Sequence, residues 1–196
     1  MPYSDCFTIL HRVKYSQKSD MLKFFDYESC FRYYASKIIN VRQAKIKGEF
    51  VVAKPVLLLS VIDLIDAGEV TSNRIRFDER LEDYYFELMR QYVRDSGSKV
   101  TPAEYPYWHL QSDGFWHLHG VEAPETMKKS VSRRFLNDNV DYAYFDPELW
   151  LLLQNECMRA RLRDYIVEHK LPHGDDSSWR IVADGIFCLF PVIMAC

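Results

Sequence analysis

Tyr105-Pro106-Tyr107-Trp108-His109-Leu110-Gln111-Ser112-Asp113-Gly114-Phe115-Trp116-His117-Leu118 is the stretch on which the reading of this chain turns. Two aromatic-His-Leu segments, Trp108-His109-Leu110 and Trp116-His117-Leu118, flank Asp113-Gly114, and that symmetry predicts a β-hairpin about a tight turn. A two-residue Asp-Gly loop would mix apolar and polar side chains on both faces. A three-residue loop, Ser112-Asp113-Gly114, puts Gly114 in the left-handed region and gathers Trp108, Leu110, Trp116 and Leu118 on one face. His109, Gln111, Phe115 and His117 then share the other face. That outer face reads equally well as an ordinary half-solvated surface and as a recognition surface.

Upstream, Lys54-Pro55 opens a helix, with proline at the first helical position and Val56, Leu57, Leu58, Leu59, Val61, Ile62, Leu64 and Ile65 apolar nearly all round. Such a helix is central and buried, and Gly68 ends it as a left-handed cap. Thr71 to Phe77 is extended, with Arg74 and Arg76 on one face and Ile75 and Phe77 on the other. Asp78 caps a further helix in which Leu81, Tyr85, Leu88 and Tyr92 recur at helical spacing, closed by Gly97. Helix, short connection, helix and hairpin is the order of a winged-helix unit with Trp108–Leu118 as its wing. The predicted fold is therefore α+β: a mainly helical single domain with a winged-helix-like helix-turn-helix unit and a β-hairpin wing.

The flanks are simpler. Met1 to about Ser19 carries only a short apolar patch. Asp20 to Ile39 predicts a helix through Leu22, Phe25, Phe31, Tyr34 and Ile38, broken near Ser29. Between Lys37 and Gly48 the residues Lys37, Arg42, Lys45 and Lys47 appear without an acidic residue, which fits a solvated loop and a phosphate-contacting strip equally. Lys128, Lys129, Arg133 and Arg134 form a second basic cluster. Asp146-Pro147 caps a helix from Glu148 to Leu153, and Asn155 caps a last one carrying Met158, Leu162, Tyr165 and Ile166, which Pro172 ends. The expected division is a domain over 1–172 and, over 173–196, a polar hinge with an apolar tail that is either a docking strand or a partner contact.

Composition limits function. With 196 residues, 48% hydrophobic and 15% aromatic, the chain can bury one sizeable core. A formal net charge of −3 means that affinity for nucleic acid must rest on local patches. No secretory h-region opens the chain and no apolar run approaches the roughly 20 residues of a membrane span, so a cytoplasmic, non-membrane protein is expected. Five scattered cysteines without a C-x-x-C pair agree with reduced thiols.

Catalytic signatures are lacking. Neither phosphate-cradling glycine motif nor a G-x-S-x-G elbow occurs. His109, His117 and His119 approach one another in the predicted hairpin but have no cysteine or carboxylate at metal-motif spacing, so no metal and no cofactor is expected. Glu168-His169-Lys170 spells half a nuclease motif without an acidic partner, and Cys157 has no identifiable base. A non-enzyme is the expectation.

Ala53-Lys54-Pro55-Val56-Leu57-Leu58-Leu59, Asn73-Arg74-Ile75-Arg76-Phe77, Tyr105-Pro106-Tyr107-Trp108-His109-Leu110 and Asp113-Gly114-Phe115-Trp116 follow one another as in a known module. From about Lys37 to Pro172 the chain resembles the DNA sulfur-binding domain that precedes the HNH nuclease of certain bacterial restriction endonucleases. The resemblance implies recognition of phosphorothioate-modified double-stranded DNA. It implies that Tyr105 and Pro106 wall an apolar cavity for the sulfur, that His109 is a nearby wall residue, and that Lys54-Pro55 lies close to the DNA backbone. Arg42, Lys45, Lys47, Arg74, Gln111, Arg133 and Arg134 complete the expected DNA contacts. Two positions depart from the family: Ala53 stands where members often have histidine, and Asp141-Tyr142-Ala143-Tyr144 where some carry a basic, glycine-rich segment. No HNH-like set follows Pro172, so the expectation is a reader without the cutter, working with a nuclease or other effector protein. A sulfur-independent winged-helix DNA binder and a protein-interaction subunit of a defence system are the alternatives.

Overall fold

A computed structural model describes residues 26–46, 49–93, 100–120 and 131–172, which are mainly helical with two small antiparallel strand pairs. Helix α1 (Tyr27–Ile39) begins at Asp26, whose carboxylate accepts the Ser29 N–H at 2.7 Å and the Ser29 hydroxyl at 2.9 Å. The expected break near Ser29 is this N-terminal cap, and no break occurs within the helix. Strands β1 (Lys45–Ile46) and β2 (Glu49–Phe50) pair with Lys45 opposite Phe50.

Helix α2 (Ala53–Asp66) is the central helix that its apolar run requires, with Val56, Leu57, Leu59 and Val61 fully buried. Pro55 is its third residue, not its first, which the missing N–H still permits because first-turn amides have no helical partner. Gly68 leaves it at φ 73°, the left-handed conformation that glycine adopts without a Cβ clash. Helix α3 (Glu79–Tyr92) is capped by Asp78 as expected, and buries Leu81, Tyr85, Leu88 and Met89 against α2.

The expected Trp108–Leu118 hairpin does not form. Its first half is helix α4 (Glu104–His109), continued by a 3-10 turn over Leu110–Asp113. The residues it buries, Pro106, Tyr107, Trp108 and Leu110, are nearly contiguous, which alternation on a strand cannot supply. Proline in a first helical turn is favourable, and Pro106 sits there. Gly114 is left-handed, at φ 75°, but it ends the 3-10 turn and joins no pair of strands.

Only the second half is extended, as β3 (Trp116–His119). After helix α5 (Arg133–Asn139), which the sequence reading lacked, its partner arrives as β4 (Tyr142–Phe145). The register sets Trp116 opposite Phe145 and His117 opposite Tyr144. Phe115, expected outside, is fully buried. The Thr71–Phe77 segment lies beside β4 through one bridge, Ile75 to Ala143, with both N–H···O bonds at 2.7 Å.

Helices α6 (Pro147–Gln154) and α7 (Glu156–Lys170) close the core against α1 and α2. Asn155 caps α7 as expected, accepting the Met158 N–H at 3.0 Å. Asp146 holds the cap position of α6 without a side-chain cap bond. Its carboxylate instead accepts the buried Tyr34 hydroxyl at 2.9 Å and meets His117 Nε2 at 2.6 Å. The 1–19 segment, the 20–25 part of the first expected helix, Gly97 and the proposed 173–196 tail lie outside the described residues.

Asn73 acts as a surrogate strand residue. Its amide donates to the Phe145 carbonyl and accepts the Phe145 N–H, each at 2.9 Å. Asn73→Ala should therefore cost about 1–3 kcal/mol. A urea titration should show a lower midpoint with an unchanged slope.

Candidate nucleic-acid interface

Helix α4 has no side-chain cap and is only six residues long, so its position is set by what it buries. Tyr107 donates its hydroxyl to the Ile75 carbonyl at 2.8 Å, and its own carbonyl accepts Trp116 Nε1–H at 2.9 Å. Its ring meets Phe77 and Trp116 edge-on at 5.1 and 5.4 Å, while Trp108 meets Phe135 at 5.8 Å. With those residues inside, Tyr105 and His109, four apart, share the outer side. Their rings stack with centroids 6.4 Å apart and an interplanar angle of 26°. Pro106, in the same helical turn, is buried.

Cations gather about the Asp113-Gly114 corner that follows α4. Lys54 Nζ, at the start of α2, forms a 2.6 Å ion pair with Asp113 Oδ2, and the two side chains are only 13% and 5% exposed. The other Asp113 oxygen accepts the Arg42 backbone N–H at 3.3 Å. Lys37 Nζ donates to the Gly114 carbonyl at 2.8 Å and lies 4.9 Å from the Tyr33 ring centroid. Lys170 Nζ donates to the Ile39 and Val41 carbonyls, at 2.8 and 3.4 Å. The Asp113-Gly114 corner thus ties α4 to α1, to α2 and to the strip bearing Arg42. Burial pushes the His109 imidazole below the usual histidine range, and the nearby Lys54 ammonium pushes it the same way.

The remaining expected contacts are scattered in circumstance. Lys45 lies over the Phe50 ring at 4.4 Å, while Lys47, Lys128 and Lys129 fall outside the described residues. Gln111 is exposed, its amide donating to the Trp108 carbonyl at 3.0 Å. Arg74 is exposed and packs over the Tyr142 ring at 5.1 Å. It also lines a cleft with Val70, Ile75, Arg76 and Arg80, to which Tyr105, Pro106 and His109 contribute nothing. Arg133 is committed to the buried Glu82 at 2.8 Å, whereas Arg134 makes only an exposed pair with Asp138 at 3.5 Å.

The three histidines are not brought together. His109 is on α4, His117 pairs with Asp146, and His119 pairs with Asp141 at 3.0 Å. The described residues hold no group of three or more potential metal ligands. Cys157 is exposed and Cys30 is buried, its thiol pushed up to about 12 by burial. Asp113 was read in the sequence only as a turn residue. Its second role carries no local signal, because the partner, Lys54, lies 59 positions away.

A family model described as ScoMcrA-like, DNA sulfur-binding domain, matches residues 32–178. The chain belongs to that family. Among solved structures, the sulfur-binding domain of SprMcrA complexed with phosphorothioated DNA superposes with a TM-score of 0.58 at 15% identity, covering 81% of this chain and 95% of that one. The sulfur-binding domain of ScoMcrA complexed with phosphorothioated DNA gives 0.54 at 19% identity, covering 72% and 91%. A structure holding both the sulfur-binding domain and the SRA domain of ScoMcrA gives 0.53 at 20% identity, covering 68% of this chain and 41% of that one. At these identities the likeness establishes a shared sulfur-binding-domain fold. No curated protein matches the chain.

The His109 shift has a defined sign. Its folded value lies below the ordinary 6.5, so the unfolded chain takes up the proton more readily. The stability held by the neutral ring is complete above about pH 6.5 and is lost as pH falls through the folded value. An NMR titration of the His109 ring should give a midpoint below that of an unstructured histidine, and Lys54→Met should raise it.

Proposed function

We propose that this sulfur-binding domain reads phosphorothioate linkages in double-stranded DNA and does no chemistry on them. The observation that carries the reading is the Tyr105–His109 ring pair on the outer side of α4, with Lys54 near His109 and with Lys37 and the Arg42 backbone bonded at the Asp113-Gly114 corner that follows, in a chain of this family. A non-bridging sulfur is larger, more polarisable and less strongly hydrated than oxygen. Ring and proline carbons from Tyr105, Pro106 and His109 cost little to place against sulfur and much to place against an anionic oxygen, whose hydration they cannot replace. Arg42, Lys45, Lys47, Arg74, Gln111 and Arg134 would supply contacts to the DNA that do not distinguish the two atoms.

The reading departs from a winged helix in one respect. Helix α3 exposes Glu79, Asp83 and Glu87 at successive four-residue steps, with the exposed cation Arg90 among them, a net negative face that does not suit phosphate and argues against α3 as a recognition helix in a DNA groove. The contacts come instead from α4, from the segment after α1, and from β1–β2, where Phe50 is 58% exposed beneath Lys45. No helix among the described residues is long and apolar enough to cross a membrane. A cytoplasmic setting, in which bound DNA is handed to a nuclease or other effector, fits a DNA ligand.

Titrations of matched modified and unmodified duplexes test the reading. The wild-type protein should bind the modified duplex more tightly and should leave both intact with magnesium, manganese or zinc present. Tyr105→Ala removes a few tens of Å² of apolar contact, on the order of 1 kcal/mol, and should weaken the modified duplex selectively. Equal affinity of the wild-type protein for the two duplexes would refute sulfur recognition.

The basic strip has its own test. Affinity for either duplex should fall with salt by about 0.9 log unit per log unit of salt for each phosphate contact. Arg42→Ala and Lys45→Ala should each weaken both duplexes by similar factors and flatten that slope, leaving the preference for sulfur unchanged.

A further inference from the structure

The resemblance implies that Lys54 lies close to the DNA backbone, yet its ammonium is not a free cation. It is 13% exposed and paired at 2.6 Å with a carboxylate that is 5% exposed. Asp113 also anchors the backbone around it. Lys54 bonds it directly, the Arg42 amide bonds its second oxygen, and Lys37 holds the next residue by its carbonyl. A phosphate approaching here would compete with a pair that is already formed and almost dry. Both partners pay the cost of separating before any new contact is made.

The geometry points to Asp113 as a specificity-determining residue, which withholds the Lys54 charge from ordinary phosphate at the mouth of the sulfur site. This rests on the reading of the site given above. Lys54 lies near His109 of the proposed sulfur site, so a freed ammonium would reach the linkage held there, unlike the more distant cations whose contacts are common to both duplexes. An ammonium bonds a compact, highly charged oxygen more strongly than a diffuse sulfur, so neutralising Lys54 from within the protein lowers affinity for unmodified DNA more than for modified DNA, and the ratio between them rises. The carboxylate does this while still supplying the acceptor that holds the Arg42 backbone in place.

Asp113→Asn keeps an acceptor for the Arg42 amide and removes the charge. Binding of matched modified and unmodified duplexes should be measured over a range of salt for the wild type, for Asp113→Asn and for the doubly neutral Lys54→Met/Asp113→Asn. In Asp113→Asn, affinity for the unmodified duplex should rise several-fold, its salt slope should steepen by about 0.9, and the modified-to-unmodified ratio should fall. The double variant should return the slope and the unmodified affinity to wild-type values. Two results would overturn the proposal: an Asp113→Asn slope equal to wild type, or a double variant whose slope is flatter than wild type by about one contact. The latter would mean that Lys54 already neutralises phosphate. If Asp113→Asn does not fold, the double variant alone decides by that slope. A wild-type protein with no preference for sulfur would refute the proposed function, while the slopes on unmodified DNA would still decide whether Asp113 restrains Lys54.

Discussion

The bonds made by Tyr107 fix where α4 can lie, and the placement of the candidate site depends on them. Its hydroxyl is tied to Ile75 and its carbonyl to the Trp116 indole, so one residue joins the helix to the Thr71–Phe77 segment and to β3. Ile75 in turn exchanges two backbone bonds with Ala143 on β4, and Asn73 clamps Phe145. A six-residue helix has too few internal hydrogen bonds to hold itself, so its direction is imposed by this buried net. Tyr105 and His109 project outward because Pro106, Tyr107 and Trp108 are held inward.

What the sequence disclosed follows the strength of the local signal. The α2 run, the Asp78 and Asn155 caps, the left-handed Gly68 and Gly114 and the inward faces of Ile75 and Tyr85 were legible, because each is a single strong preference. The hairpin was misread because two signals competed. Alternation and an Asp-Gly turn argued for strands, while Pro106 in a first turn and the contiguous apolar set Pro106-Tyr107-Trp108 argued for a helix. The partner of β3 lies beyond a helix and a long connection, and such distant pairing leaves little trace in local spacing. Tyr105, His109 and Lys54 were picked out by resemblance and Arg42 by its place in a basic strip; the first two rings stack, and Lys54 and the Arg42 backbone share Asp113. The two roles of Asp113 and Asp146, one facing Lys54 and one bridging Tyr34 and His117, arise from residues more than 25 positions away and could not be read from neighbours.

Aromatic residues hold the small sheet as firmly as its backbone bonds do. His119 stacks on Tyr142 with centroids 4.6 Å apart, His117 lies 5.1 Å from Tyr144, and Trp116 meets Phe145 edge-on at 5.1 Å. Each is a directly opposed pair, the arrangement in which cross-strand rings contribute most. A two-stranded sheet is marginal alone, and these pairs, with the Ile75 bridge, explain how four residues per strand suffice here.

The acidic face of α3 has a consequence for the moment of encounter. Glu79, Asp83 and Glu87 on α3, and Lys37, Arg42 and Lys45 at the end of α1 and after it, segregate charge between elements although the net charge is only −3. In the field of a polyanion an approach by the basic strip is favoured and an approach by the acidic face of α3 is resisted before contact, so that fewer collisions are spent on unproductive orientations. Because that bias acts through solvent, it fades within about 10 Å at 0.1 M salt, and the arrival rate is where its loss is felt.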